Sequence, residues 1–402
     1  MRAWMPTVWW GFATALLVVA MAVGGCAGRD RSGGKATRGG PIELRRPVQA
    51  VWVARFHYRS PNDIRTIMRN CAAMGLNTVL WQVRGQATVA YRSRIEPWSK
   101  EFAHRDPGFD PLAVAVSEAH RLGLRIEAWV NVMPGWSGSE PPPVQDHLYH
   151  TRPNWFLHAA DGARQPLNDH YVILNPCEPA VRRHIVAVMH EIVTRYDVDG
   201  LHLDYVRYAW ETTPNARRLY PRDARTVALF RRETGRSPDD DPRAWDHWRA
   251  NQLTRLVAEI REMLTRTRGR VTLTAAVWST PTVGVRDYFQ NGLAWLRSGL
   301  VDAVMPMAYT ADSEALARYV ASYKNAAPGS HVIPGLGIYK HTTRAQMRAQ
   351  LRRCIAWGGD FALFSYDSLH PTVRDRTRQG VPAAEKALRA VRRAVLGEFV
   401  RG

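Results

Sequence analysis

The stretch YDVDGLHLDYVRY, residues 196–208, carries the side chains that most directly suggest chemistry. Its apolar run ends on Asp204, a carboxylate that is followed at once by Tyr205. Side chains alternate along a strand, so His202 shares the face of Asp204 and points into the same interior. In a barrel of parallel strands, catalytic groups lie at the C-terminal ends of the strands. If the chain forms such a barrel, Asp204 is placed for catalysis.

Cleavage of a glycosidic bond is the reaction that suits a strand-end carboxylate among aromatic and amide side chains. It needs one carboxyl group to protonate the departing oxygen and another to attack the sugar or activate water. Asp204 is predicted to be the nucleophile or base. Glu127 is the predicted proton donor, because burial beside Trp129 would raise its pKa. Asp312 and Asp367, which follow later strands, are the alternative donors.

Further strand-end residues are predicted to ring the barrel mouth and bind substrate, with His202 beside them. The predicted substrate-binding residues are Gln82, Arg84, Asn131, His202, Tyr205, Trp278, Tyr309, Tyr366 and Asp367. Arg84 is expected either to anchor an acidic group or to form a structural ion pair, and Glu127 could instead pair with Arg84 or His202. The chain shows no Ser/His/Asp order and no Cys/His metal spacing, so no metal or cofactor is predicted.

The elements that would position these residues recur from Val48 to the end of the chain. The first helix is predicted to have Ser60 as its N-cap, Pro61 in its first turn and Gly75 as its stop. The predicted strands are VQAVWVARFH, LNTVLWQVRG, LRIEAWVNV, GLHLD, RVTLTAAVW, LVDAVMPMAY, HVIPGLGIY and FALFSYDSL. Alternating strands and helices predict a (β/α)₈ TIM barrel over residues 48–402. An open doubly wound sheet is the alternative, but no glycine-rich phosphate loop follows the first strand.

Long insertions are predicted after strands 3 and 4, on one side of the barrel mouth. They contain Trp136, Trp155 and Trp210. Long loops without regular structure are usually functional or disordered. We therefore expect an aromatic groove there that grips a polymer.

Composition sets broader limits on the function. The chain has 402 residues, of which 46% are hydrophobic, enough for one large core or two medium ones. Its formal charge of +19 favours anionic partners such as nucleic acid, acidic polysaccharide or an anionic membrane. Because no Lys or Arg run exceeds two residues, a solvated basic surface is the simpler interpretation. Fifteen Trp would supply flat apolar platforms for sugar rings.

The N-terminus has the pattern of an export signal. Arg2 precedes an apolar run from Val8 to Val23, and two glycines lead to Cys26. We predict a lipoprotein signal peptide at 1–26, lipidation of Cys26 and a flexible tether at 27–47. The protein is thus expected to be exported and anchored in a membrane by its lipid, the outer membrane where one exists. Export argues against a nucleic-acid partner.

Several stretches together resemble the bacterial glycosyl hydrolase-like 10 domain family. They are VWVARF, LNTVLWQVRGQATVAYRSRIEPWS, GFDPLAVAVSEAHRLGLRIEAWVN, LNPCEPAVRRHIVAVMHEIVTRYDVDGLHLDYVRY, WRANQLTRLV and WLRSGLVDAVMPMAY. The resemblance implies a (β/α)₈ glycosidase acting on peptidoglycan glycan chains. It implies site roles for Asp204, Arg84, Gln82, Asn131 and Tyr309, whereas Glu127 stands where many members have His.

The sequence therefore predicts a glycoside hydrolase acting on a cell-envelope amino-sugar polysaccharide, foremost peptidoglycan glycan strands. Its predicted partners are that polysaccharide and the membrane. The alternative is a glycan-binding lipoprotein that keeps the barrel and has lost the catalytic acid.

Overall fold

The computed structural model describes residues 47–208, 219–377 and 381–400. They all belong to one compact unit. The predicted signal peptide, Cys26 and almost all of the predicted tether lie outside the described residues. None of the helices in the described ranges is long and apolar enough to cross a membrane.

Eight parallel strands form the centre of the fold, as predicted. They are β1 (Gln49–Val53), β2 (Thr78–Gly85), β3 (Arg125–Asn131), β4 (Gly200–Asp204), β5 (Thr272–Val277), β6 (Ala303–Pro306), β7 (Gly335–Gly337) and β8 (Phe361–Phe364). Neighbours in the chain are neighbours in the sheet, and β8 pairs with β1. Parallel bridges Val304 to Val332 and Met307 to Gly335 bring β6 against β7. The ring of strands is therefore nearly closed.

Helices surround the strands. The main ones are α1 (Pro61–Ala73), α2 (Pro111–Arg121), α3 (Pro179–Arg195), α4 (Pro242–Thr267), α5 (Gly292–Arg297), α6 (Ser313–Lys324), α7 (Arg344–Ala356) and α8 (Ala383–Val400). Helix α1 begins as predicted: Ser60 accepts a hydrogen bond from the Asp63 backbone N–H, and Pro61 occupies the first turn. Such caps satisfy N–H groups that the helix itself leaves unpaired.

The apolar core has two parts, one on each side of the strands. Inside the ring, Trp52, Leu80, Trp129 and Met305 pack together. A larger cluster lies between the outer faces of the strands and the helices. Parallel strands covered on both sides are buried on both faces, so they are nearly continuous apolar runs.

The connections after β3 and β4 carry extra elements. After β3, strands Pro134–Gly138 and Asn168–Ile173 pair antiparallel, and a short helix spans Leu148–Thr151. After β4, a helix spans Ala224–Thr234. Residues 209–218 of this connection, with Trp210, lie outside the described residues.

Two aspartates at the start of strands join neighbouring segments at the bottom of the barrel, as expected of structural residues. Asp199 Oδ2 accepts the backbone N–H of Ile126 at 2.9 Å. Asp302 Oδ2 accepts the backbone N–H of Leu273 at 2.7 Å. Each carboxylate therefore hydrogen-bonds the start of its own strand to the backbone of the neighbouring strand, β4 to β3 and β6 to β5.

Gly200, where β4 enters the barrel, provides a test of interior packing. A Cβ atom there would lie 2.4 Å from Thr272 Oγ1 and 2.7 Å from Glu127 Cγ. We expect Gly200→Ala to lower the free energy of unfolding by about 1–3 kcal/mol through overpacking. Urea denaturation of the purified protein measures the change.

Gly269→Ala is the matched control, because its Cβ would approach no atom closer than Thr265 O at 4.0 Å. Its effect should stay within about 0.5 kcal/mol. Equal effects of the two substitutions would contradict this account of the packing.

Candidate active site

A cavity of about 480 Å³ opens at the C-terminal ends of the strands. Ligand pockets commonly fall between about 300 and 1,000 Å³. Half of its lining residues are aromatic. The lining comprises Trp52, Ala54, Arg55, Phe56, Gln82, Trp129, Asn131, Tyr171, Asp204, Tyr205, Arg207, Ala276, Trp278, Ser279, Met307, Tyr309, Tyr319 and Phe364.

Asp204 is the last residue of β4 and lies beside Asn131, the last residue of β3. Its Oδ2 accepts the indole N–H of Trp129 at 3.1 Å, and its Oδ1 accepts the backbone N–H of Tyr205 at 2.7 Å. Tyr205 has a left-handed backbone with φ of 52°, an uncommon conformation for a residue other than glycine. The carboxyl group is thus held by donors on two sides.

Burial raises the pKa of Asp204 to about 6, against the opposing effects of Arg207 and the two N–H donors. Desolvation penalises the charged form of a carboxyl group, and cations and donors favour it. The side chain can therefore be present in either protonation state near neutral pH. A group of that kind can give and take protons during a reaction.

Arg207 lines one side of the cavity together with the rings of Tyr205 and Trp278. The guanidinium carbon lies 4.2 Å from the ring centroid of Tyr205 and 5.1 Å from that of Trp278. Trp278 stacks on Tyr288 with centroids 4.1 Å apart. Cation–π contacts of a buried arginine hold such rings in place.

Two side-chain amides link β2 and β3 to the turn that follows β1, at the edge of the cavity. Gln82 Nε2 donates to Asn131 Oδ1 at 3.1 Å, and Gln82 Oε1 accepts the Arg55 backbone N–H at 3.1 Å. Arg55 Nε also lies 3.3 Å from Glu101 Oε2. Gly85 makes room for Arg55, since a Cβ there would lie 2.7 Å from Nη1.

Beneath the cavity, a chain of hydrogen bonds leads into the barrel. The indole N–H of Trp52 donates to His202 Nε2 at 3.0 Å, and His202 Nδ1 lies 2.8 Å from Thr274 Oγ1. Thr274 Oγ1 in turn donates to Glu127 Oε2 at 2.6 Å. An indole only donates, so His202 must carry its proton on Nδ1. Burial lowers the pKa of His202 to about 3, which keeps the ring neutral.

Six of the predicted site residues line the cavity. They are Asp204, Gln82, Asn131, Tyr205, Trp278 and Tyr309. Five do not: Glu127, His202, Arg84, Tyr366 and Asp367. The structure therefore brings six of the eleven predicted residues to the cavity and places the other five outside its lining.

Glu127 is too deep in the barrel to face Asp204. It pairs with Gly200, while Asn131 pairs with Asp204, so it lies four residues lower. At about 3.3 Å per residue this is about 13 Å of strand, more than the roughly 5–9.5 Å between paired glycosidase carboxyls. Its side chain binds Thr274 and Thr272, and His202 lies between it and Trp52.

Arg84 forms the structural ion pair that was the alternative to anion binding. The register of β2 shifts between Gln82 and Arg84, a bulge that breaks the alternation of faces. Arg84 Nε and Nη2 donate to the two carboxylate oxygens of Glu96, each at 2.8 Å. Burial alone would raise the pKa of Glu96, but Arg84 and His184 lower it to about 2.

Tyr366 and Asp367 lie in a turn after β8 and point to neighbouring elements. The Tyr366 hydroxyl accepts a hydrogen bond from Asn70 of α1 at 2.7 Å. Asp367 lies 3.5 Å from His57 Nε2. Burial alone would raise the pKa of Asp367, but His57 and Ser365 hold this pKa below its ordinary value.

Several cavity residues were not singled out from the sequence. The main ones are Trp52, Arg55, Phe56, Tyr171, Arg207, Tyr319 and Phe364. Trp52 and Arg55 both lie in the first predicted strand, VQAVWVARFH, so a closer reading of that strand could have found them. Tyr171 comes from the insertion after β3 and Tyr319 from α6, where sequence alone gives no such rule. Trp136 and Trp155 do not line the cavity.

The described residues include no group of three or more His, Cys, Asp or Glu that could hold a metal ion. Cys71, Cys177 and Cys354 are buried free thiols.

The fold is that of the (β/α)₈ barrels found in glycoside hydrolases. The glycoside hydrolase domain of PgaB (BpsB) from Bordetella bronchiseptica is similar over 86% of this chain and 99% of that domain, with a TM-score of 0.62 and 16% identity. Alpha-L-fucosidase isoenzyme 2 from Paenibacillus thiaminolyticus is similar over 86% of this chain and 49% of its own, with a TM-score of 0.59 and 15% identity.

The chain belongs to the Glycosyl hydrolase-like 10 family, whose model matches residues 47–340. Glycosyl hydrolase DigH of Escherichia coli is 27% identical over 275 residues, which cover 61% of this chain and 57% of DigH. Glycosyl hydrolase YngK of Bacillus subtilis is 26% identical over 296 residues, covering 66% of this chain and 54% of YngK. The chain thus spans little more than half the length of these relatives.

Glu127 gives a prediction about stability and pH. Burial raises its pKa from 4.5 to about 7, against the effects of Arg125, Thr274 and Thr272. A carboxyl that binds its proton more tightly when folded makes the protein less stable as pH rises from about 4.5 to 7. Glu127→Gln should therefore gain stability relative to the natural protein across this range. Denaturation curves at pH 4.5, 6 and 8 measure the difference.

Asp240→Asn, on the exposed surface, is the matched control for the replacement of a carboxylate by an amide. If the difference in unfolding free energy between Glu127→Gln and the natural protein were the same at all three pH values, the pKa of Glu127 would not be raised.

Proposed function

We propose that this protein hydrolyses glycosidic bonds in an amino-sugar polysaccharide of the cell envelope, foremost the glycan strands of peptidoglycan. The observation that carries the proposal is Asp204, held by two N–H donors at the end of β4 inside an aromatic cavity. Glycosidic cleavage needs a carboxyl that exchanges a proton with the bridging oxygen. A pKa of about 6 suits that role at near-neutral pH.

The rest of the cavity supports a sugar ligand. Aromatic faces such as those of Trp52, Trp129 and Trp278 can pack on the apolar faces of sugar rings, while Gln82 and Asn131 offer polar groups for hydroxyls. The family and the names of the relatives agree with glycosidic chemistry. The choice of peptidoglycan rests on the family resemblance and on the export pattern in the sequence.

The proposal includes the location of the protein. A signal peptide at residues 1–26, a lipid on Cys26 and a tether at 27–47 would export the barrel and hold it on a membrane. Its substrate would then be a polymer of the envelope. No nucleic-acid partner is proposed.

A second candidate function is glycan binding without cleavage. It is favoured by one observation: among the described residues that line the cavity, Asp204 is the only carboxylate. Glycosidases with two catalytic carboxyls would place both beside the scissile bond. Binding of glycan strands with no turnover by the natural protein would favour this candidate.

The test compares the purified full chain with its Asp204→Asn variant on peptidoglycan glycan strands. We expect the natural protein to release new reducing ends and the variant to lose about 10³-fold or more in rate, as for loss of a catalytic group. Asp240→Asn, an exposed matched change, should keep full activity. Absence of new reducing ends with the natural protein, or equal activity of Asp204→Asn, would reject the proposal.

Trp129 provides a test of how Asp204 is tuned. Trp129→Phe removes the indole N–H that stabilises the charged carboxylate, so the pKa of Asp204 should rise further above 6. Hydrogen bonds to charged groups contribute about 1.5–3 kcal/mol, so the Asp204 limb of the kcat/KM profile should move by about one pH unit to higher pH. Activity measured from pH 4 to 9 gives the shift.

Trp136→Phe is the control for that change. Trp136 lies outside the cavity and donates its indole N–H to Glu140 O at 2.8 Å. Its loss should leave the pH profile in place. An unmoved profile in Trp129→Phe would mean that Asp204 does not govern that limb.

A further inference from the structure

The cavity holds one acid and several donors. Asp204 is the only carboxylate among its described lining residues. Nearby carboxylates are bound elsewhere: Glu96 by Arg84, Asp367 by His57, and Glu127 by two threonines inside the barrel. A hydrolase with this site still needs a group to attack the sugar carbon.

Two donors facing the cavity have no hydrogen-bond partner in the part of the chain that the structure describes. Asn131 uses its Oδ1 to accept from Gln82, which leaves the Nδ2 group available. The Tyr309 hydroxyl makes no hydrogen bond there, although its ring is fixed by stacking on Phe364 at 5.1 Å. Polar groups left open in a buried cavity are suited to a polar ligand.

Tyr309 also lies near Asp204. Burial and then the charge of Asp204 raise the pKa of its hydroxyl well above 10. The hydroxyl therefore keeps its proton and acts as a donor beside the acid. A neutral donor of this kind can bind a carbonyl oxygen but cannot attack a sugar carbon.

We propose that the attacking group is the substrate's own 2-acetamido group, so that Asp204 acts as the acid and then the base in the cleavage of N-acetylated amino sugars. This inference rests on the hydrolase function proposed above. It reassigns Asp204, which the sequence predicted to be the nucleophile or base, to the role of proton donor in the first step. It also restricts the sugar bound beside Asp204 to a 2-acetamido-2-deoxy sugar.

In the first step the Asp204 carboxylic acid gives its proton to the glycosidic oxygen, and the bond from that oxygen to C1 breaks. The acetamido carbonyl oxygen forms a bond to C1, giving a cyclic oxazolinium ion, and the leaving sugar departs as an alcohol. Tyr309 and Asn131 are the donors that hold the acetamido group and ring hydroxyls during this step.

In the second step the Asp204 carboxylate takes a proton from water as the water oxygen bonds to C1. The bond between C1 and the acetamido oxygen breaks, so the acetamido group and the carboxylic acid are both restored. Two inversions at C1 give net retention of configuration. The cationic intermediate is stabilised by the Asp204 carboxylate and by aromatic faces such as Trp52.

The pKa of Asp204 agrees with this order of events. The first step requires the protonated carboxyl, so kcat/KM should fall as pH rises through about 6. If Asp204 were instead the nucleophile, its ionised form would be required. In that case kcat/KM would rise as pH rises through about 6.

The experiment uses the full-length protein and aryl glycosides of N-acetylglucosamine whose acetyl group carries zero to three fluorines. Fluorine weakens the carbonyl oxygen as a nucleophile, so kcat/KM should fall by about tenfold or more across the series. Proton NMR of the first product formed should show the retained anomer. A flat fluorine series, an inverted product, or a glycosyl group trapped on a protein carboxylate by a 2-fluoro sugar would overturn the inference.

A second experiment separates the acetamido inference from the proposed hydrolase function. It compares peptidoglycan glycan strands before and after chemical removal of their acetyl groups. Cleavage of the acetylated strands alone supports both. Equal cleavage of the two preparations keeps the hydrolase and rejects the acetamido nucleophile. Cleavage of neither preparation rejects the hydrolase.

Tyr309→Phe tests the positioning of the acetamido group. We expect kcat to fall by about tenfold or more with little change in KM, because the lost hydrogen bond acts on the reacting group. Tyr366→Phe removes the same atom outside the cavity and should keep kcat. Equal kinetics of Tyr309→Phe and the natural protein would remove Tyr309 from the mechanism.

Discussion

The carboxyl group of Asp204 is buried at the end of a strand, and this placement requires support from the structure around it. A carboxylate taken out of water is costly unless donors or cations replace the lost solvent. Trp129 and the Tyr205 backbone supply the donors, and Arg207 supplies a positive charge nearby. The balance leaves a pKa of about 6, so the group is neither a fixed anion nor a permanently neutral acid.

The arrangement of strands brings those supporting groups together. Trp129 is in β3 and Asp204 in β4, and their residues pair in register, with Asn131 beside Asp204. A closed ring of parallel strands directs every C-terminal end to the same rim, so residues far apart in the chain meet there. Gln82 then joins Arg55, just after β1, to Asn131 of β3 through its two amide ends. The cavity is therefore a product of strand register more than of any one loop.

Much of the fold was predictable because it depends on local patterns. Apolar runs that alternate with capped helices identified the barrel, and the capping box at Ser60 begins α1 as its sequence indicates. The strand-end rule also identified Asp204, Asn131 and Tyr309 as residues of the rim. Depth and side-chain direction were harder to predict. Only the register places Glu127 far below Asp204, and only a bulge turns Arg84 toward Glu96.

Residues brought from outside the strands were beyond sequence reasoning. Tyr171 reaches the cavity from the antiparallel pair after β3, and Tyr319 from helix α6. Tyr366 was misplaced for a related reason, since the chain turns after β8 and aims that ring at α1. Alternation of faces predicts side-chain direction within a strand, but it does not extend into the turn that follows.

The hydrogen-bond chain from Trp52 to Glu127 has a fixed direction, because an indole nitrogen has a proton to give and no lone pair to receive one. A proton cannot pass from Glu127 to the cavity through Trp52, whatever the ionisation of the glutamate. This chain therefore offers no proton path between Glu127 and the cavity, although burial raises the pKa of both Glu127 and Asp204. Through this chain, ionisation of Glu127 delivers no proton to Asp204 and withdraws none from it.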